Sequence, residues 1–342
     1  MKLSLSYFSS QQRAESPYEL VLEGARFGDT HGFDSIWIPE RHFHRFGGLF
    51  PNASVVAAAI AVLTNGISLR AGSVVLPLHD PLRVAEEWAV VDILSRGRVG
   101  IAAATGYAPN DFALAATEYA ARKEQTLAKL DTVRRLWRGD LIDRVNGTGV
   151  SSPVGTFPRP MQPELPIWLT CGGSDAGKFA QAGALGANVL TALFVQSIDT
   201  LASRIASYRA ARAQAGLNPA TGRVTLMVHT FVDTSLEACR QKVREPFLAY
   251  LASSVEVWSS GFKRLEDVPH HLREDMLSFA FERYFRTSAL FGTVDVCARL
   301  VEALGAAGVD ELACLVDFGV PDADVVAGFT LLDELRRRVD GS

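Results

Sequence analysis

Eight times along the chain, a short apolar run rich in β-formers precedes a longer amphipathic stretch. The runs are KLSLSYF (2–8), SIWIPE (35–40), SLRAGSVVLP (68–77), VGIAAATG (99–106), PIWLTCGG (166–173), NVLTAL (188–193), VTLMVHTFV (224–232) and ELACLVDFG (311–319). Near-continuous apolar character suits strands covered on both faces, as in a parallel sheet. The intervening stretches carry helical spacing: Val84, Trp88 and Val91 in one, Leu201, Ile205 and Tyr208 in another. Asp80 and Pro81 open the first of these, and Gly97 stands beyond its end. Eight β-then-α units predict an α/β fold, a closed (β/α)8 TIM barrel, with an open doubly wound sheet as the alternative.

The alternation leaves no linker, so residues 1–342 are expected to form a single barrel domain. Two segments exceed what a barrel needs. Residues 139–165, dense in Gly and Pro, predict a loop or hairpin insertion after strand four, and residues 250–290 predict a lid after strand seven. The lid would carry Trp258, Phe262, Phe279, Phe281, Tyr284 and Phe285, with freedom at Gly261; Leu272, Met276, Phe279 and Phe281 would stripe its helix against the barrel.

Charge narrows the function. A net charge of -4 and a pI of about 6.0 offer no basic footprint for nucleic acid. No run approaches the roughly 18 apolar residues of a membrane span. The N-terminal MKLSLSYFSS is too short and polar for a secretory signal, and the four cysteines form no C-x-x-C pair. A cytoplasmic protein without a metal or disulfide framework is expected. His270-His271 has no neighbours in sequence to complete a ligand set.

Barrel active sites gather at the C-terminal strand ends. Those ends carry Tyr7, then Glu40-Arg41-His42-Phe43-His44, His79, Thr105-Gly106-Tyr107, Thr170-Cys171-Gly172-Gly173-Ser174, and His229. Four of the seven histidines stand at or near these ends. Imidazoles titrate near neutrality and move protons. Arg41 stays cationic and can stabilise a developing oxyanion. CGGSDAGKFA can bring backbone N–H groups to a phosphate, and serves equally as an ordinary Ser-capped turn. Neither G-x-x-x-x-G-K-[ST] nor a strand-linked G-x-G-x-x-G is present.

In this order the residues resemble the bacterial luciferase-like flavin monooxygenases, over about 3–335, most closely in GFDSIWIPERHFHRFGG, LRAGSVVLPLHDPLRVAEEWAVVDILSRGRVGIAAATGYAPNDF, FPRPMQPELPIWLTCGG and GALGANVLTAL. The subgroup they resemble serves natural-product assembly lines. The resemblance implies reduced FMN, supplied by a separate flavin reductase, with dioxygen as co-substrate and a substrate that is free or bound to a carrier protein. It places Glu40, Arg41 and His42 beside the flavin ring as the catalytic group. Gly72 and Ser73 would lie under the ring, with a non-proline cis peptide there. Thr105, Gly106, Tyr107, Thr170, Gly172, Gly173 and Ser174 would complete the cofactor site, and Tyr7, His44, His79 and His229 would meet substrate. Arg41 stands where luciferase has the first of two histidines, and the luciferase phosphate arginine falls near Thr105, so light emission is not implied and part of the phosphate grip must come from elsewhere. A homodimer is expected. A deazaflavin-dependent hydride-transfer enzyme and a non-catalytic flavin-binding or docking protein are the alternatives.

Overall fold

The computed structural model describes residues 1–8, 17–45, 47–115, 117–173, 175, 177–193, 196–258 and 270–340. In chain order the elements are β1 (Lys2–Ser6), α1 (Glu19–His31), β2 (Ser35–Ile38), α2 (Ala53–Ala61), β3 (Ser68–Val75), α3 (Pro81–Ser95), β4 (Val99–Ala104) and α4 (Arg122–Arg138). Then come β5 (Ile142–Val145), β6 (Ser151–Val154), β7 (Ile167–Thr170), α5 (Gly177–Ala184), β8 (Asn188–Ala192), α6 (Ile198–Gln214) and β9 (Val224–Val232). The chain finishes with α7 (Leu236–Trp258), α8 (His270–Thr287), β10 (Leu290–Gly292), α9 (Val294–Ala306), β11 (Glu311–Leu315) and α10 (Asp322–Asp340).

Eight parallel strands close in the order β1-β2-β3-β4-β7-β8-β9-β11, and β11 returns to β1. Each of the eight apolar runs supplies one strand. β10 pairs with the upper part of β9, Leu290 beside Thr230, above the level where β8 lets go. β5 and β6 form an antiparallel hairpin within 139–165.

Local chemistry sets the boundaries. Asp80 caps α3 by accepting from the Leu82 N–H at 2.8 Å, and Pro81 fills the first helical position. The helix stops at Ser95 because Arg96 (φ 58°) and Gly97 (φ 82°) both turn left-handed. Val84, Trp88 and Val91 are buried, as are Leu201, Ile205 and Tyr208. On α8 the inward face is Phe281, Tyr284 and Phe285, at i, i+3 and i+4, while Met276 and Phe279 face solvent. The expected stripe through Met276 and Phe279 is therefore corrected by one helical face. Gly261, Phe262 and their neighbours lie outside the described residues.

The barrel interior is layered. At the N-terminal end the buried Glu311 carboxylate accepts from Ser4 at 2.6 Å, Ser35 at 2.9 Å, Trp37 at 2.9 Å and Thr225 at 2.9 Å. Burial opposes its charge, but those hydrogen bonds and the nearby arginines hold its pKa below the usual range. Above this floor Trp37, Ala102, Trp168, Leu190 and Ala313 pack together, with the two indoles edge to face at 5.3 Å. The N-terminal end is thereby filled, and the open chemistry is left to the other end.

Candidate active site

Three side chains, two from the end of β2 and one from the turn after β3, meet above these strands. Glu40 Oε1 accepts from His42 Nε2 at 2.8 Å and from His79 Nε2 at 2.6 Å, while Glu40 Oε2 takes the Val75 N–H at 2.9 Å. Burial works against the charge on Glu40, yet these hydrogen bonds outweigh it and hold its pKa below the ordinary value. Burial lowers the His79 imidazole, and the Glu40 carboxylate raises it further, to a net position above the ordinary value. Ligand atoms of Glu40, His42 and His79 lie within 4.8 Å of one another, a set a divalent cation could also use. As they stand, both rings meet the carboxylate itself, so the contacts are hydrogen bonds.

Arg41 heads a second group. Its guanidinium lies 4.9 Å from the Tyr107 ring centroid, donates to the Tyr107 hydroxyl, and lies 6.0 Å from the Phe8 ring. Its Nε is buried without an acceptor among the described residues. The Asp111 carboxyl faces this cation; burial pushes its pKa up and Arg41 draws it part of the way back. The turn that follows His42 carries Phe43 at φ 53°, a conformation bulky residues rarely adopt, with its ring largely exposed. His44 is exposed on the same turn.

Around the barrel, β3, β4 and β7 present the expected cofactor residues side by side. Ser73 Oγ donates to the Gly72 carbonyl at 2.6 Å and lies 3.2 Å from Thr170 Oγ1. A side chain on Gly72 would press the β2 backbone, 3.3 Å from the Ile38 carbonyl. Gly106, at φ 73°, sits against Val75 and Phe112. The loop after β7 is open: a Cβ at Gly172 or Gly173 would meet nothing within 4 Å. Arg204 Nη1 reaches the Gly173 carbonyl at 3.2 Å and Gln196 Oε1 at 2.9 Å, which brings a cation to this loop. An open glycine turn with a cation beside it, next to a hydroxyl pair, fits a flavin phosphate and its ribityl chain. Ser174 lies outside the described residues.

Two expectations are corrected. The bonds between Ala71 and Val75 are trans; the one cis peptide among the described residues is Phe157–Pro158. The β3–β4 register instead slips between Ala71 and Val74, and this bulge re-aims the Gly72–Ser73 backbone. Tyr7 does not face the chamber. It packs outward on α1, where a Cβ on Gly24 would lie 1.8 Å from its hydroxyl oxygen, because Leu3, Leu5 and Tyr7 share the outer face of β1. His229, by contrast, is buried inside on β9. Asp111, Gln196 and Arg204 were not singled out in the sequence: they lie on a loop and a helix, where nothing in the local pattern separates them from surface polar residues.

Comparison with known proteins agrees with the fold. The model of the luciferase-like monooxygenase family matches residues 1–311. The chain belongs to that family and is an enzyme of its flavin-dependent monooxygenase class. It is 24% identical over 324 residues to the oxygenase component of flavin-dependent trigonelline monooxygenase of Acinetobacter baylyi, covering 91% of this chain and 87% of that protein. It is 28% identical over 299 residues to 4-hydroxyprotoasukamycin monooxygenase of Streptomyces nodosus subsp. asukaensis, covering 84% and 78%. Among solved structures, monooxygenase RslO1 from Streptomyces bottropensis shares the fold at a TM-score of 0.83 and 21% identity, over 98% of each chain. The oxygenating constituent of 3,6-diketocamphane monooxygenase from Pseudomonas putida, in complex with FMN, shares it at 0.78 and 17%, over 99% and 97%. An F420-dependent secondary alcohol dehydrogenase shares it at 0.73 and 17%, over 99% and 98%.

Proposed function

We propose that the chain is the oxygenase component of a two-component system. It would use reduced FMN from a separate flavin reductase and dioxygen to oxygenate an intermediate of natural-product metabolism, free or carrier-bound. The observation that carries this is the pairing of an open glycine loop beside Arg204 with a proton-handling triad two strands away on the same rim. Gly172, Gly173 and Arg204 hold the phosphate. Ser73 and Thr170 reach the ribityl chain, and Gly72 lets the ring approach the backbone. Bound reduced flavin supplies the electrons that activate dioxygen. Glu40 fixes both imidazoles through their Nε2 atoms; His42 Nδ1, the ring nitrogen that Glu40 does not hold, gives or takes the proton at the reacting oxygen, and His79 holds the counter-charge. Arg41 offers its unpaired Nε to negative charge that develops nearby. The names of the Acinetobacter and Streptomyces relatives, both monooxygenases, support the reaction class.

The test is turnover with labelled dioxygen and reduced FMN against pathway intermediates, both free and on carrier protein; label in the product is expected, and a product without label removes the proposal. A deazaflavin-dependent hydride transfer is the second reading, favoured by the shared fold of the alcohol dehydrogenase. Parallel titration with FMN and with a deazaflavin separates the two. A non-catalytic flavin-binding or docking role is the third, and any turnover removes it.

The wider context belongs to the same proposal. The paired helices α2 and α3, with Val62 just past the end of α2, expose Val55, Val62, Val90 and Leu94, an apolar face suited to a homodimer. α7 and α8 cover the chamber at its β9 side, which suits water exclusion during turnover. All four cysteines are free and buried, in keeping with the cytoplasm, and no described helix is long and apolar enough to cross a membrane.

A further inference from the structure

His229 is an inward-facing residue of β9, one step above Met227 in the barrel interior. It is 2% exposed. Its Nδ1 lies 3.0 Å from the Tyr284 hydroxyl. Its Nε2 is buried and has no hydrogen-bond partner among the described residues. Four rings stand nearly perpendicular to the imidazole: Tyr250 at 4.4 Å, Phe247 at 5.0 Å, and Tyr284 and Phe318 each at 5.5 Å. Among the described residues, no charged side chain contributes to its electrostatics. Burial alone pushes its pKa down to about 3, so the ring is neutral throughout the physiological range.

A histidine kept only for packing would be a poor choice here. One ring nitrogen pays desolvation with no hydrogen bond in return, and Leu or Phe would fill the same space without that penalty. The nitrogen is explained if its partner arrives from outside. A line of packed side chains joins His229 to the rim. Tyr250 meets Phe8 at 6.2 Å, and Phe8 lies 6.0 Å from the Arg41 guanidinium. The cage therefore runs into the rim that carries the proton-handling triad. In the strand order, β9, β11 and β1 stand across the barrel from β3, β4 and β7, which carry the glycine loop and the hydroxyl pair.

We propose that His229 Nε2 is the polar anchor of the substrate chamber, and that the chamber takes an uncharged, flat, unsaturated ring system bearing a hydroxyl or carbonyl oxygen. The flat aromatic walls favour a planar guest over a branched one. A neutral imidazole in an apolar box offers nothing to neutralise a carboxylate or an ammonium, so charged guests carry their full desolvation cost. A phenolic hydroxyl both donates and accepts, and matches either tautomer of His229. This inference rests on the reading of the rim as a flavin and substrate chamber.

Three probes of one shape test it by calorimetry: 2-naphthol, naphthalene and 2-naphthoate. The protein should bind 2-naphthol about tenfold more tightly than naphthalene, the worth of one buried hydrogen bond, and 2-naphthoate most weakly. In His229→Leu the affinity for 2-naphthol should fall to that for naphthalene, with naphthalene itself unchanged. Because that variant alters a packed interior, a second measurement uses the unaltered chain: the histidine Nε2 nitrogen resonance that does not titrate near neutrality should shift with 2-naphthol and stay put with naphthalene. The proposal is overturned if the unaltered protein shows no preference for 2-naphthol, if the preference survives in His229→Leu, if both neutral probes weaken together there, or if the resonance does not move. FMN titration of the same samples is a separate readout. Its failure would strike the flavin reading, and its success with a failed naphthol comparison would strike this inference alone.

Discussion

His79 Nε2 donates to Glu40 Oε1 at 2.6 Å across thirty-nine residues of sequence. β2 and β3 are adjacent strands, so the barrel brings the end of one beside the turn that follows the other. The consequence is an ion pair whose two halves titrate in opposite directions.

Stability should therefore depend on pH in a definite window. The Glu40 pKa is lowered from its ordinary 4.5 and the His79 pKa is raised from its ordinary 6.5. The carboxylate contribution is complete above pH 4.5 and is lost as pH falls through the lowered value. The imidazolium contribution is complete below pH 6.5 and is lost as pH rises through the raised value. The unaltered protein should exceed Glu40→Gln in urea midpoint most clearly between those two ordinary values, with the margin shrinking on either side. A margin that does not vary with pH would contradict the pairing.

His42 should matter to chemistry and only secondarily to stability. Its ring is anchored by Glu40 and lies at the rim. His42→Ala is expected to stay folded with a lower urea midpoint, because the buried Glu40 carboxylate loses a hydrogen bond, to keep FMN affinity, and to slow the chemical step by roughly 10²–10⁴-fold, the usual worth of a positioned acid–base group. Single-turnover kinetics read this directly; an unaltered chemical step would assign His42 to structure.

Two glycines on the cofactor side should respond in opposite ways. At Gly106 the backbone is left-handed, and a Cβ would lie 2.8 Å from Val75 Cγ1 and 3.0 Å from Phe112 Cε2. Gly106→Ala should lose about 1–3 kcal/mol of stability. At Gly172 the space is open, so Gly172→Ala should change stability by less than about 0.5 kcal/mol. Its methyl would instead stand where the phosphate is expected, and FMN affinity should fall by about tenfold. Denaturation and FMN titration of both variants measure the contrast.

Arg204 should distinguish the phosphorylated flavin from the bare one. Its guanidinium sits beside the Gly173 carbonyl, held by Gln196. Arg204→Gln is expected to weaken FMN by roughly tenfold while leaving riboflavin affinity unchanged, since a charge-assisted bond to phosphate is all that riboflavin lacks. Equal losses for both ligands would place Arg204 in loop structure only.

The exchange of α7 and α8 should report their role as a cover. Backbone amides of 236–253 and 276–287 are expected to exchange more slowly when FMN and substrate are bound than when they are absent. Equal protection in both states would make the pair a fixed wall.

Much of this was legible in the chain. Eight buried parallel strands leave an apolar signature that survives without any tertiary knowledge, and each run became one strand. The strand-end position of Glu40, Arg41 and His42 followed from the fold rule alone. Side-chain direction was also readable, though it was missed for Tyr7. The alternation that puts Ser4 and Ser6 inside puts Leu3, Leu5 and Tyr7 outside, and the same rule puts Thr225, Met227 and His229 inside. The backbone slip between Ala71 and Val74 was not readable, because a bulge is decided by the pairing of two strands and not by the residues of one. Nor was the partnership of Glu40 with His79, or that of Arg204 with Gly173. Both depend on which loops the closed ring brings together.

The carboxylate of Glu311, wrapped by Ser4, Ser35, Trp37 and Thr225, bears on kinetics as well as on packing. It plugs one end of the cylinder, so whatever enters must use the other end, and must leave by it too. Flavin on the β3–β4–β7 side and a guest on the β9 side would share that one opening. Whichever occupies the opening would then slow the exchange of the other, a constraint set at the end of the barrel farthest from the chemistry.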